Sequence, residues 1–424
     1  MFNIKNLTNN KDKKRLFSNF FSLSFLQVAS YIFPLITLPY LVRVLGPSKY
    51  GLVAFAQAFA GYFQIITNYG FIFSATREVS INRDNKDKIS EIFSSVIAIQ
   101  LFLAALSFII MLAVVFIFKK FSKDWLLYFF SFGLVIGNVL FPVWFFQGIE
   151  RMRYITILNL ISKFIFTAAI FIFIRIQADY LYVPLISAIG VILSGIFGFW
   201  IIFKSIKVKF ILPKFVHIKY QLKEGWRIFT ANLSGNLYGQ GTIFILGIFS
   251  TNKIVGYYSI AEKIIKALSG LSQPIAQSIY PFISRKTKVE LYFILKRWTK
   301  YTIVLTFLFS ILTFIFLKFI YLYLIKSHNI QPKITIEILS AVMLFTILNV
   351  IKQPFIYALK MDRLNNFMYI FVGITFVPIC LLLSYFFSMI GTSISLFYVE
   401  FMIFFIGAFI IKKGVRTNNG EVAN

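Results

Sequence analysis

The sequence predicts an all-α polytopic membrane protein of about twelve transmembrane helices in two six-helix bundles. Three observations carry that expectation. Apolar residues make up 59% of the 424, charged residues only 14%, and mean hydropathy is +0.81, far from the soluble range. Unbroken apolar runs recur from end to end, each long enough to cross about 30 Å of hydrocarbon as a helix; they exclude the alternating strands of a β-barrel. A polar pattern also repeats at an offset of 205 positions. Gly51, Ala56, Gln57, Gln64 and Asn68 return as Gly256, Ala261, Glu262, Ser269 and Gln273, and Gln27, Tyr31 and Thr37 as Asn232, Asn236 and Thr242.

Taken in order, the apolar windows place helices at approximately 18–42, 51–73, 92–118, 125–147, 155–176 and 181–203. After the longest polar connection come 225–249, 257–281, 298–325, 336–359, 367–388 and 392–411. No A-x-A cleavage site follows the first run, which reads as a retained helix. Six helices on each side of the connection make the halves parallel repeats, related by a pseudo-twofold axis along the membrane normal. The expected domains are therefore 1–203, a linker at 204–224, a second bundle at 225–411 and a tail at 412–424. Pro34, Pro39, Pro142, Pro274, Pro354 and Pro378 are the expected kinks. Gly133 with Gly137, and Gly235 with Gly239, are spaced for close helix approach.

The net charge of +28 would suit nucleic acid, but the cations lie where topology wants them. Most of the 43 Lys and Arg residues fall on one side, in the N-terminal segment, the linker, the tail and the alternate loops around Arg77, Arg151, Arg285 and Lys360. The other side carries Arg43, Lys49, Lys119, Lys120, Lys123, Lys253, Lys326 and Lys333. By the positive-inside rule both termini are cytoplasmic, and the basic inner surface suits anionic membrane lipids. No nucleic-acid partner is expected.

Enzyme signatures are scarce. His217 and His328, the two histidines, have no ligand-spaced partners, so no metal is expected. There is no G-x-x-x-x-G-K-[ST] motif and hence no nucleotide hydrolysis of that kind. The single cysteine, Cys380, reads as a small core residue. Neither catalysis nor a cofactor is expected.

The groups that need a reason are charges at membrane depth, each costing at least about 2.5 kcal/mol if it faced lipid at the bilayer centre. They are Lys163, Glu262, Lys263, Lys266, Lys318, Lys352 and Glu400, of which Lys318 and Glu400 lie near helix ends and can snorkel. Glu262 and Lys266 have the i, i+4 spacing of a helix ion pair. Lys163, Lys263, Lys266 and Lys352 against Glu262 predict a net positive interior suited to an anion such as pyrophosphate. Gln57, Gln64, Asn68, Asn232, Asn236 and Gln273 add neutral donors and acceptors suited to sugar hydroxyls.

The run from Arg43 to Gln57 (RVLGPSKYGLVAFAQ), then Asn68–Phe71 and Ser74–Glu78, resembles the Wzx-type flippases of O-antigen and capsule assembly. Trp144–Met152, Val255–Lys263, Gln273-Pro274 and Tyr280-Pro281 extend the similarity, which runs from about Phe17 to about Lys360. The resemblance implies the fold of the multidrug/oligosaccharidyl-lipid/polysaccharide exporters, two six-helix bundles making a V around a central cavity. It implies translocation of an undecaprenyl-pyrophosphate-linked oligosaccharide across the bacterial cytoplasmic membrane by alternating access. By carry-over Arg77 meets the pyrophosphate at the inner mouth, Lys263 and Lys266 line the route, and Glu262 is the candidate protonatable group for ion coupling. The implied partners are the lipid-linked oligosaccharide, membrane lipids, and the polysaccharide polymerase and chain-length machinery.

Other readings stay open on sequence. A multidrug exporter or another lipid-linked precursor exporter shares the superfamily. A major-facilitator carrier should show G-x-x-x-D-R/K between helices two and three, which 74–90 lacks, and a glycan polymerase or ligase should show a large outer loop.

Overall fold

The computed structural model describes residues 10–284 and 330–416, with positions 290, 291, 293, 294, 304, 306–308, 310, 311 and 313–315 between them. Most of the expected helix at 298–325, including Lys318, lies outside the described residues, as does the basic run 285–288. Among the described residues every regular element is helical.

The first helix, α1 (Asn10–Asn68), is really two, because the backbone leaves helical angles at Gly46 (φ 70, ψ 164), a conformation essentially reserved for glycine. Tyr69 (φ 41) and Gly70 (φ 76) then turn the chain into α2 (Phe71–Ile81). The continuous apolar stretch Phe25–Ile81 has 57 residues, about 86 Å of helix at 1.5 Å per residue. That is more than twice the hydrocarbon thickness, so the break at Gly46 is what lets it cross twice.

Next come α3 (Lys86–Ile117), opened by the Asn85 side chain accepting from Lys88 N at 3.0 Å, and the single turn α4 (Lys119–Ser122). The helix expected at 125–147 is divided at Phe141–Pro142 into α5 (Trp125–Leu140) and α6 (Val143–Gly148), where Pro142 was expected to bend it. Beyond these lie α7 (Met152–Phe173) and α8 (Tyr182–Trp200), the latter ending in a π-turn at Ile201–Ile206.

The connection after α8 is not helical, and α9 (Phe215–Phe249) begins about three turns before its expected start. The chain continues through α10 (Asn252–Gly270), α11 (Gln273–Ile283), α12 (Ile330–Ala358) and α13 (Asp362–Arg416). In α13 the two expected helices are separated at Ser388 (φ 52, ψ −131), whereas Pro354 and Pro378 sit inside unbroken helix. Seven segments of the described chain are long and apolar enough to span a membrane, and two of these, Phe25–Ile81 and Asp362–Val415, have length for two crossings. The protein is a multi-pass membrane protein.

The described chain forms two compact units. Among the described residues, those up to 37 and 59–232 form one, and those at 38–58 and from 233 onward form the other, so the part of α1 around Gly46 packs with the second set of helices. The first unit is centred on Phe71, Phe93, Trp144, Phe145 and Phe146, the second on Phe355, Phe376, Cys380 and Val399.

Small residues set the closest approaches, as expected where lipid offers no hydrophobic drive between helices. A Cβ on Gly133 would lie 2.7 Å from Ala188 Cβ, and one on Gly137 would lie 2.9 Å from Val191, both on α8. Gly239 differs: apart from the backbone of its own helix, no described atom lies within 4 Å of where its Cβ would be, so it opens space where the spacing had suggested contact.

Candidate functional site

The polar stripe of α10 is built upon the second unit. Glu262, 2% exposed, accepts a hydrogen bond from Thr242 Oγ1 of α9 at 2.7 Å and lies 3.1 Å from Lys266 Nζ. The expected i, i+4 pair is therefore formed. Lys266 also donates to the Gly239 carbonyl at 2.8 Å, and its side chain stays 47% exposed. The open space at Gly239 adjoins that ammonium. A buried carboxylate thus has a neutral donor on one side and a half-exposed cation on the other. This is the geometry of a site where an incoming anion can compete with an internal one for the same ammonium.

Lys263, one turn back, donates to Tyr50 Oη at 3.4 Å, with its Nζ 5.7 Å from the Tyr50 ring centre. Tyr50 is held there because α10 and the residues after the Gly46 turn pack backbone to backbone. A Cβ on Gly51 would lie 2.8 Å from Gly256 Cα and would strike the Asn252 carbonyl; one on Gly256 would strike the Pro47 carbonyl. The two glycines are matched by the 205-residue offset, and so are Pro47 and Asn252.

The remaining predicted cations do not join this group. Lys352 on α12 donates to the Phe404 carbonyl at 2.8 Å and lies 3.3 Å from that residue's ring centre. Its neighbour Asn349 donates to Glu400 Oε2 at 2.7 Å and to the Glu400 carbonyl at 2.9 Å. Glu400 is thereby tied across α12 and α13, where a snorkelling end charge had been expected. Lys163 lies half-buried on α7 in the first unit. Gln57, Gln64 and Gln273 are half-buried and Asn68 is exposed; Asn232 and Asn236 lie on α9, with side chains outside the described positions.

In the first unit Arg77 Nη2 donates to Glu224 Oε2 at 2.6 Å, a pair with side chains 60% and 34% exposed. Beside it Gln221 donates to Glu78, and Arg83 meets Glu150 at 3.0 Å. The hydrogen bond to Glu78 holds the Tyr220 phenol above its usual range. The start of α9 is thus bound to α2 by alternating charges and amides. Deeper in this unit Gln100, 2% exposed, bridges the Thr67 carbonyl (3.3 Å) and the Trp144 indole N–H (3.4 Å).

Tyr50, Asn349 and Gln100 were not singled out from sequence, and Gly239 only as a packing position. A lone glutamine inside the apolar run of α3 was the one available signal among them. Thr242 had been matched to Thr37 as a repeat position, but Thr37 bonds to backbone carbonyls of its own helix, at Phe33 and Pro34.

The family described as polysaccharide biosynthesis protein matches residues 16–286. A protein named "Putative O-antigen transporter" in Escherichia coli K12 is 30% identical over 275 residues, which cover 65% of this chain and 66% of that protein. One of the same name in Shigella dysenteriae is 25% identical across 88% of this chain and 94% of its own length. Among solved structures, the lipid II flippase MurJ in an inward closed conformation aligns at a TM-score of 0.68 and 15% identity, over 92% of this chain and 87% of that one. An inward-facing multidrug resistance MATE family transporter of the MOP superfamily aligns at 0.65 and 14%, over 93% and 98%. At such identities these two structures share the fold alone.

Proposed function

Because the chain belongs to the polysaccharide biosynthesis protein family, we propose that it is a flippase for undecaprenyl-pyrophosphate-linked oligosaccharide repeat units. It moves them from the inner to the outer leaflet of the bacterial cytoplasmic membrane for O-antigen or capsule assembly. The single observation that carries the cargo's chemistry is the half-exposed Lys266 ammonium, held against buried Glu262 beside the open space at Gly239. A cation presented this way, beside a buried carboxylate, suits a phosphate oxygen by charge-assisted hydrogen bonding.

The working arrangement is two bundles, 1–203 and 225–411, joined by the 204–224 linker, with both termini cytoplasmic. Arg77 meets the pyrophosphate at the inner mouth. Lys263 and Lys266 line the route, with Lys163 and Lys352 adding positive potential. Gln57, Gln64, Asn68, Asn232, Asn236 and Gln273 bind sugar hydroxyls. The lipid tail stays in the bilayer while the head group passes by alternating access. Glu262, released from Lys266 when cargo takes that ammonium, is the group for ion coupling. The protein works as a transporter without catalysis, alongside the polymerase and chain-length machinery.

The test is deletion of the gene followed by leaflet-resolved assay of the lipid-linked oligosaccharide. Accumulation on the inner leaflet is expected. Complete transport with unpolymerised units outside would point to a polymerase or ligase, and unchanged oligosaccharide with altered drug resistance to a multidrug exporter.

A further inference from the structure

The chain between α8 and α9 carries a surface that transport leaves unused. Lys207 (φ 63) turns the chain out of the π-turn, and residues 208–214, outside any helix, run along the start of α3. Two hydrogen bonds fix that course: Lys209 N donates to Ser90 Oγ at 3.1 Å, and Ile211 N to Ser94 Oγ at 2.9 Å. Ser90 and Ser94 are one helical turn apart, so the second anchor lies about 6 Å further along α3 than the first. Just before the first anchor Val208 turns inward, 3% exposed, into the core formed with Phe93 and Phe146.

The opposite side of the segment is left outward. Phe210 is 53% exposed, Leu212 87%, Phe215 77% and Val216 72%. The first turns of α9 continue the division, with Ile218 and Leu222 packed on the core and Gln221 and Gly225 buried. Phe215, Val216, Lys219, Tyr220, Lys223 and Trp226 face out. At 100° per residue these are two opposed faces of one helix.

The outward face is also cationic. Lys207, Lys209, Lys214, Lys219 and Lys223 are exposed along it, and Lys204 sits 5.2 Å over the Trp200 ring at its edge. The neighbouring carboxylates are already engaged: Glu224 by Arg77, Glu78 by Gln221, and Glu91 by Lys88 and His217. Large apolar side chains, tryptophans at both edges and interleaved lysines are the features of a segment lying in a membrane interface. The face begins where the span Gln177–Ile206 ends.

We propose that residues 207–226 form an interfacial anchor that binds anionic phospholipid head groups of the cytoplasmic leaflet. The Ser90 and Ser94 bonds set its depth. Leu212, Phe215 and Val216 enter the acyl boundary, and the lysines reach back to the phosphates.

The test uses full-length protein in nanodiscs, with Cys380→Ala as background and a nitroxide at Leu212→Cys or, separately, Phe215→Cys. Asp84→Cys, whose native side chain is fully exposed, is the aqueous reference. In phosphatidylglycerol–phosphatidylcholine bilayers the ratio of oxygen to nickel-complex accessibility at 212 and 215 is expected to exceed that at 84 by about threefold or more. It should fall by about half in pure phosphatidylcholine, or when Lys207, Lys209, Lys214 and Lys219 are all changed to Gln. Ratios equal to that at 84 in both lipids would overturn the proposal. So would a raised ratio indifferent to lipid charge and to the lysines, or protection that appears only when cytoplasmic extract is added, which would assign the face to a protein.

Discussion

Replacing Lys266 by Met removes the cation 3.1 Å from a carboxylate that is 2% exposed and leaves Thr242 as the donor at 2.7 Å. Breaking a fully buried pair from one side costs about 3–5 kcal/mol. Because the lysine is 47% exposed and solvent already weakens the pair, the expected loss is nearer 2–3 kcal/mol, on the same scale. Lys266→Met alone should therefore lower the thermal midpoint and the amount of protein in membranes, which by itself says nothing of cargo. Adding Glu262→Gln removes the stranded charge while the Gln oxygen still accepts from Thr242, so stability should return to within about 1 kcal/mol of wild type. Export, measured as surface polysaccharide per unit of membrane protein in a deletion strain, should stay low in the double variant if Lys266 meets the cargo. Wild-type export by the stable double variant would refute that role and reduce Lys266 to a counterion. An unchanged midpoint in the single variant would refute the pair's contribution to folding.

Other expectations follow from the same geometry. Arg77→Ala breaks an exposed pair worth about 0–1 kcal/mol, so immunoblotted abundance should hold while export falls; undiminished export would count against contact with pyrophosphate. Gly256→Val drives a branched side chain at the Pro47 carbonyl, where neither group can rotate away, and should cost about 1–3 kcal/mol or more of overpacking, read as lost abundance. Trp144→Phe deletes the indole N–H that Gln100 accepts and should lower the thermal midpoint by the equivalent of about 1 kcal/mol, with export per molecule unchanged.

The fold was legible because lipid permits few solutions: each long apolar run had to be a helix with its backbone bonds satisfied internally. The breaks were only partly legible. Pro142 interrupts its helix as expected, and the breaks at Gly46 and Ser388 fall at expected boundaries, but the turn at Tyr69–Gly70 lies inside the helix expected at 51–73, where the backbone angle and not a missing N–H turns the chain. Pro354 and Pro378 stay within helices, where neighbouring side chains and local adjustment can accommodate a ring. At the candidate site the local pair Glu262–Lys266 could be read from spacing. Thr242, twenty residues away on the adjoining helix, could not, because its partner depends on how α9 and α10 pack. The pairing of Arg77 with Glu224, 147 residues apart, is hidden for the same reason. Pooling Lys352 with Lys263 and Lys266 as one positive group missed that Lys352 is held by the Phe404 carbonyl and ring on a different helix.

The meeting of Gly51 with Gly256 has a bearing on descent. Each glycine faces the carbonyl four residues before the other, Asn252 for Gly51 and Pro47 for Gly256, so the contact is self-complementary under the 205-residue offset. That is the relation two identical subunits have across a dyad. A half-length ancestor with one such glycine and one such carbonyl would already possess both sides of the joint and could pair with its own copy before any fusion. Fusion would then free the two copies to drift elsewhere, as Gln57 and Glu262 have, while each glycine stays bound to the shape of its twin. Paired change at 51 and 256, with independent change at 57 and 262, is the pattern that related chains should display.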